Sequence, residues 1–71
     1  MEKIIALAHK NKWEVSRTGV KYEFERGDTR LEFNPCFHER ATVWRIKNNA
    51  HGFNGTLEEC YETLTRYLTD N

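Results

Sequence analysis

Cys36 and His38 stand one residue apart, and with His51 and Cys60 further on they supply four side chains of the types that hold zinc. Their spacing lacks the paired Cys-x2-Cys or His-x3-His grouping of common structural sites, and Cys60 falls on the apolar stripe of a helix, so no metal and no cofactor is expected. Cys36 beside His38 also has the chemistry of a nucleophile and a base. Neighbours in sequence are not thereby oriented in space, and no third group is placed to orient the histidine. Gly52 and Gly55 precede a helix whose amides could meet an anion, but without a Walker lysine or a Rossmann strand they read as a connection. No catalytic residue is assigned, and a non-enzymatic role is expected.

A second group of charged residues is more regular. Glu14, Glu23, Glu25 and Glu32 alternate with apolar residues on either side of Gly19 and Gly27. Such alternation describes strands with one dry and one wet face. With two-residue loops at Thr18-Gly19 and Gly27-Asp28, Trp13 opposes Phe24 and Val15 opposes Tyr22. Across the second hairpin Phe24 opposes Leu31 and Tyr22 opposes Phe33. That count sets Glu14 opposite Glu23, and Glu23 opposite Glu32, in a row of like charges that weakens a sheet by up to about 1 kcal/mol per pair. Two accounts of the row stand side by side. In one, Arg45 or Lys47 on a fourth strand neutralises it, with Lys21 and Arg30 reaching diagonally. In the other, the row is held for a basic partner surface, where complementary charge speeds association and sharpens specificity.

The elements that position these residues follow from periodicity. Ile4, Ile5, Leu7 and Ala8 form an apolar arc over a helix from Glu2 to Asn11, with Glu2 and Lys10 matched to the helix dipole. From Trp13 the period becomes two, with Val20 counted among the inward residues of a three-strand meander. NPCFHER, residues 34–40, is a connection, and ATVWRIK is a fourth strand with Trp44 and Ile46 facing inward for the area they bury. NNAHGFNG, residues 48–55, is a loop by its Asn and Gly content. Thr56 and Glu59 fit a capping box, and Leu57, Cys60, Tyr61, Leu64, Tyr67 and Leu68 continue a helix to about Leu68. The expected fold class is α+β: a single two-layer domain over residues 1–71, α-β-β-β-β-α, whose antiparallel sheet is covered on one face by two helices.

Seventy-one residues leave room for one core, burying about three-fifths of the unfolded surface. Eleven basic and eleven acidic residues cancel, which removes a net-charge argument for binding phosphate backbones. No apolar run reaches the roughly 20 residues of a membrane span, and the start lacks a signal-peptide pattern, so a cytoplasmic protein is expected.

The run KNKWEVSRTGVKYEF, residues 10–24, resembles the HicA-type toxins: a helix ending in Lys10, Asn11 and Trp13, Arg17 before the turn, and Gly19 followed five residues later by Phe24. The resemblance implies a double-stranded-RNA-binding-domain-like fold and an RNA-facing surface. It also marks a departure, because the position of that family's catalytic histidine is Lys21 here. A lysine near its reference pKa of about 10.4 holds phosphate but is a poor general base. The tryptophan-strand and Arg-Gly-turn pattern also looks like small orphan proteins of phages.

Two functions are therefore carried forward. The first is a small protein-binding module, an inhibitor or accessory factor from a phage or mobile element, using Glu14, Glu23, Glu25 and Glu32 with the loop aromatics Phe37 and Phe53 against a host or cognate protein with a basic surface. The second is a HicA-like RNA-binding protein with reduced or absent nuclease activity, using Arg17, Lys21, Arg30, Arg45 and Lys47. Nucleic-acid stacking needs outward aromatics, which this assignment of faces does not supply. Either a monomer or a homodimer by strand addition is compatible with the sequence.

Overall fold

Alternation between apolar and polar residues, interrupted by glycine at each tight turn, sets the architecture. The computed structural model describes residues 1–70. The elements run α1 (Glu2–Lys10), β1 (Glu14–Thr18), β2 (Lys21–Arg26), β3 (Thr29–Pro35), β4 (Arg40–Ile46), β5 (Ala50–Thr56) and α2 (Leu57–Thr69). The strands form one antiparallel meander in the order β1-β2-β3-β4-β5. The fold is α+β, with α2 packed on β3, β4 and β5, and α1 on α2 and β1.

The inner face explains the layering. Phe24, Leu31, Phe33, Ala41 and Val43 from the sheet meet Ala8 of α1 and Cys60, Leu64 and Leu68 of α2, all buried together with Trp13. Each large apolar side chain in this set contributes about 1.5–3 kcal/mol by leaving water. Phe33 stacks on Tyr61 with ring centroids 5.5 Å apart. The capping box forms as expected: the Thr56 hydroxyl accepts from the Glu59 amide at 3.1 Å, and the Thr56 amide donates to the Glu59 carboxylate at 2.9 Å.

A clamp joins the two helix ends. Trp13 Nε1 donates to the Leu68 carbonyl at 2.8 Å. The Arg26 guanidinium lies 4.3 Å from the Trp13 ring centroid and donates to the carbonyls of Asn11 at 2.9 Å and Asp70 at 2.7 Å. A cation at two helix C-termini answers both dipoles at once.

Four expectations are corrected. Residues 50–56 form a fifth strand in place of a loop, with Val43 opposite Phe53 and Trp44 opposite Gly52. Glycine and asparagine obscured its period of two. In β4 the faces are reversed: Ala41 and Val43 are buried, while Trp44 points outward and is 38% exposed. Helix α2 lies close over this strand, with Cys60 Sγ 3.2 Å from the Ala41 carbonyl, so small and β-branched residues fit where an indole would not. In the first hairpin the loop is Gly19-Val20, because Thr18 pairs with Lys21 and Val15 with Phe24. Gly19 at φ 62° occupies the first loop position, as Gly27 at φ 62° does in the second hairpin, and a primed turn needs its positive φ there. Val20, expected inward, consequently sits in the turn and is 64% exposed.

Candidate functional site

Both helices lie on the inner face, which leaves the outer face of the sheet open. The register sets its central row as Ser16, Glu23, Glu32, Trp44 and Gly52 across the five strands. A neighbouring row carries Glu14, Glu25, Arg30, Ile46 and Ala50. Beyond the central row on the other side lie Thr18 and Lys21 on β1 and β2, and Asn34, Thr42 and Asn54 on β3 to β5.

The glutamate row is therefore shorter than the count from Thr18-Gly19 implied. Glu23 does face Glu32, but Glu14 faces Glu25 and Ser16 faces Glu23. Glu32 is neutralised from within the face: Arg30 Nε is 3.3 Å and Lys21 Nζ 4.0 Å from its carboxylate. Neither Arg45 nor Lys47 takes that part. Glu14, Glu23 and Glu25 form no ion pair among the described residues, so the β1–β2 half of the face keeps its negative charge.

Trp44 is the residue that sequence reasoning missed. Its indole lies against Gly52, where a Cβ would stand only 2.8 Å from Cζ3. Asn34, Thr42, Gly52 and Asn54 line a shallow depression beside it. The outer face thus has an acidic half on β1–β2 and a half on β4–β5 made of Trp44, Ile46, Ala50 and side-chain amides. The available signal was the sequence alternative for β4, in which Ala41 and Val43 rather than Trp44 and Ile46 form the buried set.

The remaining candidates scatter. Arg17 donates through Nε to the Gly19 carbonyl at 2.8 Å, with its guanidinium 5.3 Å from the Tyr22 centroid, on the inner side of the sheet. Arg45 is on that side too, 5.6 Å from the Tyr67 centroid and 4.0 Å from Asp70. Lys47 lies in the β4–β5 turn. The five cations of the RNA alternative are accordingly divided between two faces and a turn. Phe53 is half-buried against the core from β5. Phe37, by contrast, is 89% exposed at the β3–β4 loop. The next two residues, His38 at φ 59° and Glu39 at φ 55°, hold left-handed backbone that favours glycine or asparagine.

The residues considered for zinc are separated by burial: Cys36 is exposed and Cys60 buried. Among the described residues no three His, Cys, Asp or Glu side chains gather as a metal-binding group. Burial pushes the Cys60 thiol above its ordinary pKa, which disfavours the thiolate that metal binding and nucleophilic attack require. Among the described residues no helix is long and apolar enough to cross a membrane. The chain matches no protein-family model, no curated protein and no solved structure.

Proposed function

We propose that this protein is a non-enzymatic protein-binding module whose outer sheet face receives a basic surface of a partner protein. The carrying observation is the pairing of an exposed tryptophan, Trp44, with unneutralised carboxylates at Glu14, Glu23 and Glu25 on a face that no helix covers. An aromatic anchor near the middle of a polar, charged surface is the arrangement in which a few residues dominate binding energy. Phe37 offers a second contact at the sheet end, on a loop whose backbone is held in a costly conformation. The small size suits an inhibitor or accessory factor, from a phage or mobile element, acting in a cell's cytoplasm on a host or cognate protein.

A HicA-like RNA-binding role is the second proposal, favoured by one observation: Trp44 supplies the outward aromatic that base stacking needs. Against it, Lys21 and Arg30 are already engaged by Glu32, with Glu23 in the next position along the row.

The test is a pull-down from nuclease-treated lysate with wild type, Glu23→Lys and Trp44→Ala, followed by titration of the recovered protein. Capture by wild type and loss by both variants supports the face as the binding site. Recovery of RNA in untreated lysate, unaffected by Glu23→Lys and weakened steeply by salt, overturns the protein-binding proposal in favour of the RNA one.

A further inference from the structure

Strand β5 ends the sheet, and among the described residues no other strand pairs with its outer edge. The ladder between β4 and β5 shows which of its backbone groups are free. The Leu57 amide donates to the Glu39 carbonyl at 2.7 Å, continuing the register in which Gly55 opposes Ala41 and Phe53 opposes Val43. Hydrogen-bonded pairs in an antiparallel ladder recur every second residue. Residues 51, 53 and 55 therefore turn their backbone groups to β4, while Ala50, Gly52 and Asn54 present theirs to the open edge. At the next such position, Thr56, the amide is already taken by Glu59.

Edges of this kind are ordinarily blunted by lysine, proline, a bulge or shortness. Here the strand is seven residues long, Ala-His-Gly-Phe-Asn-Gly-Thr, in unbroken register from residue 50 to 56, with no Lys, Arg, Asp, Glu or Pro. The opposite edge, β1, carries Glu14 and Arg17.

We propose that two copies of this chain associate through β5, antiparallel about a twofold axis at Gly52, to make one continuous ten-stranded sheet. The outward groups are symmetric about that residue: Ala50 meets Asn54 of the second copy, Gly52 meets Gly52, and Asn54 meets Ala50. Every free amide and carbonyl of the three residues is satisfied. The uncharged edge meets its own copy without repulsion, and it offers no charge to select a different strand. On the inner side the same register sets His51 beside Phe53 of the second copy, covering the exposed part of a half-buried ring. On the outer side the two Gly52 residues come within about 5.5 Å at Cα. Each carries its Trp44 indole in the place of a side chain, so the two indoles meet across the axis and cover each other. Isologous contacts of this sort are the commonest route to homodimers.

This inference uses the sheet edge and shares Trp44 with the partner site proposed above, leaving Glu14, Glu23 and Glu25 of each copy open; it concerns the chain alone, so its test needs no partner. Sedimentation equilibrium of the whole chain over a concentration series, paired with amide hydrogen exchange, tests it. The expected result is a concentration-dependent doubling of mass, with Gly52 and Asn54 amides gaining protection as the dimer fills. Asn54→Pro removes an outward donor without touching the β4 ladder and weakens association about tenfold or more, whereas Asn54→Ala keeps the donor and still dimerises. Circular dichroism of Asn54→Pro confirms that the monomer stays folded, and if it does not, Asn54→Lys serves as the edge-blocking variant. A monomer throughout the series, or a dimer whose Gly52 and Asn54 amides stay unprotected, overturns the proposal.

Discussion

The indole of Trp44 occupies the space where Gly52 would carry a side chain, 2.8 Å from the ideal Cβ position. A tryptophan on an open sheet face is thereby held flat over the neighbouring strand, beside Glu32 and clear of the core. Gly52→Ala should lift the ring, which is the far end of a flexible side chain, and raise its exposure. The stability change should stay within about 1 kcal/mol, since alanine also suits a strand better than glycine. A red shift in tryptophan emission with a nearly unchanged urea midpoint is the expected outcome, Trp13 remaining buried as an internal reference.

Arg26 lies over Trp13 and donates to carbonyls at the ends of both helices. Arg26→Ala should therefore cost about 2 kcal/mol, from charge-assisted hydrogen bonds and the ring contact together. Arg26→Lys, which lacks the planar fork, should recover part of this. Urea denaturation of the two variants measures the difference, and equal stability of wild type and Arg26→Ala would remove the clamp from the account of the fold.

The β3–β4 turn holds His38 and Glu39 at φ 59° and 55°. Replacing the pair, His38→Asn with Glu39→Gly, should stabilise the domain by about 1 kcal/mol by relieving left-handed strain. In the binding assay the same variant should retain the partner if Phe37 is held by the turn shape, and Phe37→Ala should weaken it without altering the melting temperature, because its ring is 89% exposed.

Hydrogen bonds from Thr56 hold the Glu59 carboxyl below its ordinary value of 4.5. The folded state thus favours the ionised form, so this contribution is complete above pH 4.5 and is lost as the pH falls through the lowered folded value. Relative to Glu59→Gln, the wild type should lose stability on acidification through that window, as read from urea midpoints across a pH series. Thr56→Ala, which removes the hydroxyl cap at every pH, should cost about 1 kcal/mol.

Cys36 is exposed, while burial raises the Cys60 thiol and its Sγ donates to the Ala41 carbonyl at 3.2 Å. An alkylating reagent should label Cys36 alone in the native protein and both thiols after denaturation, counted by mass spectrometry. Rapid native labelling at Cys60 would mean that α2 opens from β4.

Local pattern determined the helices, the capping box, the second hairpin and the α+β class, because each depends on residues near one another in the chain. Thr56 and Glu59 lie three residues apart, and Gly27 enforces its own turn, so their geometry is written in short stretches. What surrounds the site was decided at longer range. The first hairpin is a local exception: Gly19 takes the first loop position, which shifts the loop by one residue and moves the partner of Glu14 from Glu23 to Glu25. The outward turn of Trp44 depended on α2 packing over the inner side of β4, as the contact of Cys60 with Ala41, 19 residues earlier, shows. Strand β5 exists because its amides pair with β4, a contribution that neither its glycines nor its asparagines advertise. Burial of Trp44 was favoured by area alone, but close packing against a helix selects shape as well as hydrophobicity, and the larger ring was left for the open face.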